Sequence, residues 1–74
     1  QSMASRGWTL DVWQCIDRLD DSFSLNQVYA FADELQLKHP ENKHIKDKIR
    51  QQLQVLRDKG IIEFVSRGHY RKLY

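Results

Sequence analysis

The side chains best equipped for chemistry crowd between residues 43 and 54. Lys43, His44, Lys46, Asp47, Arg50, Gln51 and Gln54 bring ammonium, imidazole, carboxylate, guanidinium and amide groups into one segment. Such a mixture suits the reading of base edges. Gln can donate to and accept from adenine, Arg can fork onto guanine, and a carboxylate can accept from the cytosine amine. A purely basic face would hold phosphates without reading sequence.

Other chemistries find little support. Cys15, His39, His44 and His69 miss the paired spacings of zinc ligands. Glu41-Asn42-Lys43 resembles part of a nuclease carboxylate–lysine signature, but no upstream acidic partner on a strand accompanies it. It falls at a helix start, where a Glu is favoured electrostatically. There is no Gly-rich phosphate loop. The expectation is an isolated binding domain, with no catalytic residue, metal or cofactor.

The segment needs a helix to present it, and the pattern predicts one. Ile45, Ile49, Leu53 and Leu56 step at helical spacing, with Asn42 as the expected cap and Gly60 as a left-handed stop after Lys59. At about 100° per residue, the polar face opposite this stripe carries Lys43, His44, Asp47, Gln51 and Gln54, with Arg50 at its margin. Two readings of that face stand. It can enter a DNA groove, or it can be a solvated surface with i,i+4 pairs such as Lys43–Asp47.

Upstream, Thr9 is expected to cap a first helix whose inner side is Val12, Trp13, Ile16 and Leu19. Asp20-Asp21-Ser22 then ends the pattern. Phe23 either anchors a very short strand or packs beneath the next helix. Ser24 with Gln27 forms a capping box for a second helix through Leu25, Val28, Tyr29, Ala32 and Leu35, fading near Leu37 before Pro40. Downstream, residues 61–65 read as a strand, Arg67-Gly68 as a turn, and residues 69–74 as the returning strand.

The predicted fold is therefore mainly α with a small β hairpin, a winged helix in the order helix, short strand, helix, helix, two-stranded wing. Arg67, His69, Arg71 and Lys72 give the wing a basic character. They either contact phosphate or protect an exposed sheet edge. Arg67, His69 and Arg71, with Ser24, Asn42 and Lys48, are the candidate phosphate contacts. Trp8 either packs on the helices or folds over a groove to contact a base.

The 74-residue chain has one cysteine and a formal net charge of +2. A single domain is implied, burying ~60% of its unfolded surface. The lone Cys15 excludes an internal disulfide framework, and no apolar run suits a membrane span. Residues 1–37 carry two bases against six acids, whereas residues 38–74 carry ten bases against four acids. That asymmetry points to an anionic partner for the second half. Residues 1–6 are expected to be a tag remnant or flexible N-terminus, and residues 7–74 the DNA-binding domain.

The stretch from His39 to Gly60, with Asn42-Lys43-His44-Ile45-Lys46-Asp47-Lys48-Ile49-Arg50-Gln51 within it, closely resembles one family. Ile61-Ile62-Glu63-Phe64, Gly68-His69-Tyr70-Arg71, Gly7-Trp8-Thr9-Leu10-Asp11-Val12 and Val28-Tyr29-Ala30-Phe31 extend the likeness from Gly7 to Leu73. The family is the C-terminal winged helix of DpnI-like, Dam-replacing, methyl-directed restriction endonucleases. The resemblance implies a reader of N6-methyladenine in duplex DNA, at a methylated G-A-T-C site, covalently linked to a separate nuclease domain. It implies work in a prokaryotic cytoplasm, at the nucleoid, with no membrane partner. The stems of Lys43, Lys46, Arg50 and Gln51 offer aliphatic contact for a methyl group. Two other classes remain in view: a winged helix that docks another protein, and a non-specific DNA clamp serving a catalytic domain.

Overall fold

The computed structural model describes residues 3–74, with side chains from residue 7. Gln1 and Ser2, part of the segment 1–6 expected to be a tag remnant or flexible N-terminus, lie outside the described residues. The order is α1 (Met3–Asp17), β1 (Ser22–Ser24), α2 (Leu25–Tyr29), α3 (Ala32–Lys38), α4 (Ile45–Asp58), β2 (Ile62–Ser66) and β3 (His69–Lys72). The chain is mostly helical with a small three-stranded antiparallel sheet, the winged-helix form that the sequence pattern predicts.

The first helix begins earlier than its apolar stripe implies. Met3 opens α1, so Thr9 lies inside the helix rather than capping it. Its hydroxyl instead donates across the core to Gln52. The inner side of α1 is Trp8, Val12, Cys15 and Ile16, all buried, while Trp13 and Leu19 pack only partly against the core. Cys15 is a free thiol whose pKa burial pushes up, as expected of an inert packing residue.

Ser24 caps α2 as the sequence predicts. Its hydroxyl oxygen accepts from the Gln27 amide, and the Gln27 side chain accepts from the Ser24 amide. The helix expected to run to Leu37 is broken, however. A turn at Ala30 and Phe31 separates α2 from α3. Arg18, in the turn just after α1, lies over the Phe31 ring, 4.7 Å from its centroid, and pairs with Glu34 at 2.8 Å. Val28 before the break and Leu35 after it are both fully buried. Tertiary packing overrides a periodicity that one helix would also satisfy.

Phe23 fulfils both of its alternatives: it sits in β1 and is buried in the core. The sheet order β1-β3-β2 places Phe23 opposite Tyr70 and Tyr70 opposite Phe64. The three rings touch in sequence, Phe23 stacked on Tyr70 and Phe64 edge-on to it. An isolated hairpin is unstable in water; this aromatic row and Ile62 fasten the wing to the helices. Gly60 and Gly68 take φ of 76° and 73°, which close the helix and the wing turn where a Cβ would be strained.

Candidate nucleic-acid interface

The core-facing side of α4 is closed. Ile49, Leu53 and Leu56 are fully buried and Ile45 nearly so. Burial of side chains this size stabilises by roughly 1.5–3 kcal/mol each, so the rotation of α4 is strongly fixed. One polar residue joins them. Gln52 is 4% exposed and accepts the Thr9 hydroxyl at 2.5 Å. Gln52 is a positioning residue that the sequence reading missed. Its helical angle, about 340° with Ile45 at zero, places it beside the core stripe and was the available signal.

The opposite side is open. Lys46, Asp47, Arg50, Gln51 and Gln54 are exposed on α4. Arg50 donates to the Asp47 carboxylate one turn before it at 2.5 Å. Lys46 holds its ammonium 5.2 Å from the Tyr29 ring centroid, so the half-buried Tyr29 lies beside this face. Tyr70 also feels it. Burial pushes the Tyr70 hydroxyl pKa up, the neighbouring Tyr29 adds to that, and the Arg50 charge opposes it.

Lys43 and His44 sit elsewhere than the helical wheel puts them. The helix starts at Ile45, so His44 is its N-cap, without a side-chain cap bond, and Lys43 lies in the preceding loop. Both are exposed and line one shallow depression with Lys46 and Asp47. Asn42 is not the cap. Its side-chain oxygen accepts from the His44 amide at 2.7 Å in a local turn, and its carbonyl accepts from Gln36. These bonds fix the entrance to α4 and leave Asn42 half-buried.

Trp8 does not reach over the groove side. It is 5% exposed and stacks on His39 with ring centroids 4.0 Å apart. The His39 imidazole also meets the Asp11 carboxylate at 2.7 Å, tying α1 to the end of α3. The two-sided expectation for Trp8 resolves to packing, because its ring area is spent on the helix junction. Lys48 is half-buried at the margin of α4, with its ammonium 6.0 Å from the Trp8 ring centroid.

The wing presents a second basic element. Alternation along β3 turns Tyr70 inward and leaves His69 and Arg71 exposed. Arg71 pairs with Glu63, its cross-strand neighbour. Arg67 is exposed at the turn. Lys72, whose charge was expected either to meet phosphate or to protect the sheet edge, donates its ammonium to the Leu19 carbonyl at 2.7 Å. Ser24 lines an open depression with Gln27, Ser66 and His69, its hydroxyl oxygen already accepting the capping bond. Among the described residues there is no group of three or more His, Cys, Asp or Glu side chains arranged to hold a metal, and no helix is long and apolar enough to cross a membrane.

Helix α3, the His39–His44 connection and α4 form a helix-turn-helix, with the β2–β3 wing beside it. That is the arrangement in which the second helix meets a major groove. The family model described as Dam-replacing HTH domain matches residues 4–72 of the chain.

Proposed function

We propose, from the premise that this chain belongs to the Dam-replacing HTH domain family, that it reads N6-methyladenine in a methylated G-A-T-C duplex and delivers a covalently linked nuclease domain to that site. The observation that carries the DNA-reading part of the proposal is the division of α4: its apolar side is committed to the core, while Asp47, Arg50, Gln51 and Gln54 remain exposed; the methyl mark, the site and the linked nuclease rest on the family likeness. A polar face of this kind on the second helix of a helix-turn-helix is suited to base edges.

Arg50, Gln51 and Gln54, with Lys43, His44 and Lys46 at the helix entrance, are the proposed base-reading set, and the Asp47 carboxylate lies among them paired with Arg50. Arg67, His69 and Arg71 on the wing, with Lys48, Ser24 and Asn42, are the proposed phosphate set. N6-methylation leaves one N–H on the adenine amine and adds an apolar methyl in the major groove. The aliphatic stems of Lys46, Arg50 and Gln51 offer that methyl a dry contact. The domain itself performs no chemistry; cleavage belongs to the linked nuclease, acting at DNA in a prokaryotic cytoplasm.

Titration of fully methylated and unmodified G-A-T-C duplexes at one fixed salt concentration tests the proposal. Tighter binding of the methylated duplex is expected. Equal affinities would refute methyl reading, and an absence of duplex binding even at low salt would refute DNA recognition altogether.

A further inference from the structure

The only carboxylate on the first two turns of α4 is Asp47, set among Lys46, Lys48 and Arg50. Near a polyanion it is unfavourable, because it repels the phosphates of every duplex alike. As an acid in the first helical turn it suits the positive end of the helix. That accounts for an acid at this position but not for its partner. The Asp47 carboxylate accepts from Nη2 of Arg50 at 2.5 Å, with side chains 66% and 57% exposed. An exposed pair at this spacing adds little to folding stability. Its effect is geometric. Arg has a long stem with many rotamers, and a carboxylate on one edge of the guanidinium restricts the plane of the fork while other N–H donors remain available.

We infer that Asp47 is a positioning residue: it holds the Arg50 guanidinium so that its remaining donors meet O6 and N7 of a guanine in the major groove, and does not itself touch a base. The inference rests on the reading of α4 as the groove-entering helix. It joins two effects of opposite sign. Asp47 lowers affinity for DNA in general and raises discrimination at one G·C pair.

The full chain and its D47A, D47N, R50A and D47A/R50A variants are titrated against the methylated site and against duplexes with each base pair replaced in turn. A salt series on an unrelated duplex accompanies them, and thermal unfolding is recorded for each variant. The unaltered chain is expected to lose roughly tenfold or more in affinity when one G·C pair is replaced. D47A and R50A both abolish that preference at the same pair, and the double variant shows no further loss. D47A alone binds the unrelated duplex more tightly, with a steeper salt dependence as the released guanidinium engages phosphate. D47N, which keeps an oxygen acceptor without the charge, falls between.

Unchanged discrimination in D47A overturns the inference while leaving the reading of α4 intact. So does sensitivity of D47A and R50A at different base pairs, which would make Asp47 a direct contact. A lowered unfolding midpoint with discrimination preserved would reduce Asp47 to a helix-end acid. Absence of any base preference in the unaltered chain overturns both the inference and the reading it rests on.

Discussion

The hydroxyl of Thr9 donates to Oε1 of Gln52 at 2.5 Å, joining the middle of α1 to the buried side of α4. This bond sets a polar register mark within an otherwise apolar contact between the two helices. Thr9→Val removes the donor and leaves the Gln52 amide oxygen without it in a buried setting. A loss of about 1–3 kcal/mol is expected by denaturant titration. Replacing both residues together, as Thr9→Val with Gln52→Met, should recover much of that loss, because the buried Gln52 amide oxygen is then no longer stranded. A double variant less stable than Thr9→Val alone would contradict this account.

Gly7 lies inside α1, where its conformational freedom works against the helix. A Cβ built there meets nothing within 4 Å. Gly7→Ala should therefore stabilise the domain by roughly 0.5–1 kcal/mol. Thermal unfolding checks it: the midpoint should rise by a few degrees, ~4–8 °C per kcal/mol for a domain of this size. Gly60→Ala and Gly68→Ala provide the contrast. Their positive φ requires the opposite sign, a fall in the midpoint.

What was legible in the sequence followed from regular spacing and local chemistry. The four buried apolar residues of α4, the Ser24–Gln27 capping box and the two glycine turns each depend on nearby residues, and each is present. What was not legible depended on distant partners. The break at Ala30 and Phe31 is held by Arg18, which no periodicity within residues 24–37 can reveal. Thr9 has the composition of a cap, yet its hydroxyl serves a residue on another helix. Trp8 could have faced either way until His39 supplied a stacking partner.

The candidate interface divides along the same line. Exposure of Asp47, Arg50, Gln51 and Gln54 was inferable from the helical wheel, since the apolar stripe dictates its opposite; Lys46, at about 100° beside that stripe, was not placed by it. The placement of Lys43 and His44 was not, because the wheel assumed a helix starting earlier. The Asn42 turn shortens that helix to Ile45. Lys72 carries the same charge as its neighbour Arg71. Strand alternation and the Leu19 carbonyl separate them.

Alkaline stability should carry the mark of Tyr74. Its hydroxyl pKa is pushed up to about 12, by burial first and then by the hydrogen bond it donates to Asp17. The unfolded chain would release this proton near pH 10. Between those values the folded state holds more protons than the unfolded state, so stability falls as pH rises. The contribution is fully present below pH 10 and is lost through about pH 12. Unfolding measured from pH 8 to 12 should show this decline, and Tyr74→Phe should flatten it. The effect should be modest, since Tyr74 is more than half exposed.

The pairing of Arg71 with Glu63 predicts how the wing uses its charge. Glu63 is the cross-strand neighbour that holds the guanidinium on the exposed side of the sheet. If Arg71 meets phosphate, Arg71→Ala should weaken binding to methylated, unmodified and unrelated duplexes by the same factor. The slope of log affinity against log salt should then flatten by about 0.9 for the single lost phosphate contact. Glu63→Gln should do the reverse, strengthening all three by a common factor, because it removes a competing carboxylate beside the DNA while keeping the side-chain volume. Neither change should alter discrimination among duplexes, since phosphate contacts carry no sequence information directly. A variant at either position that changes the methylated-to-unmodified ratio would move the wing from anchoring to reading.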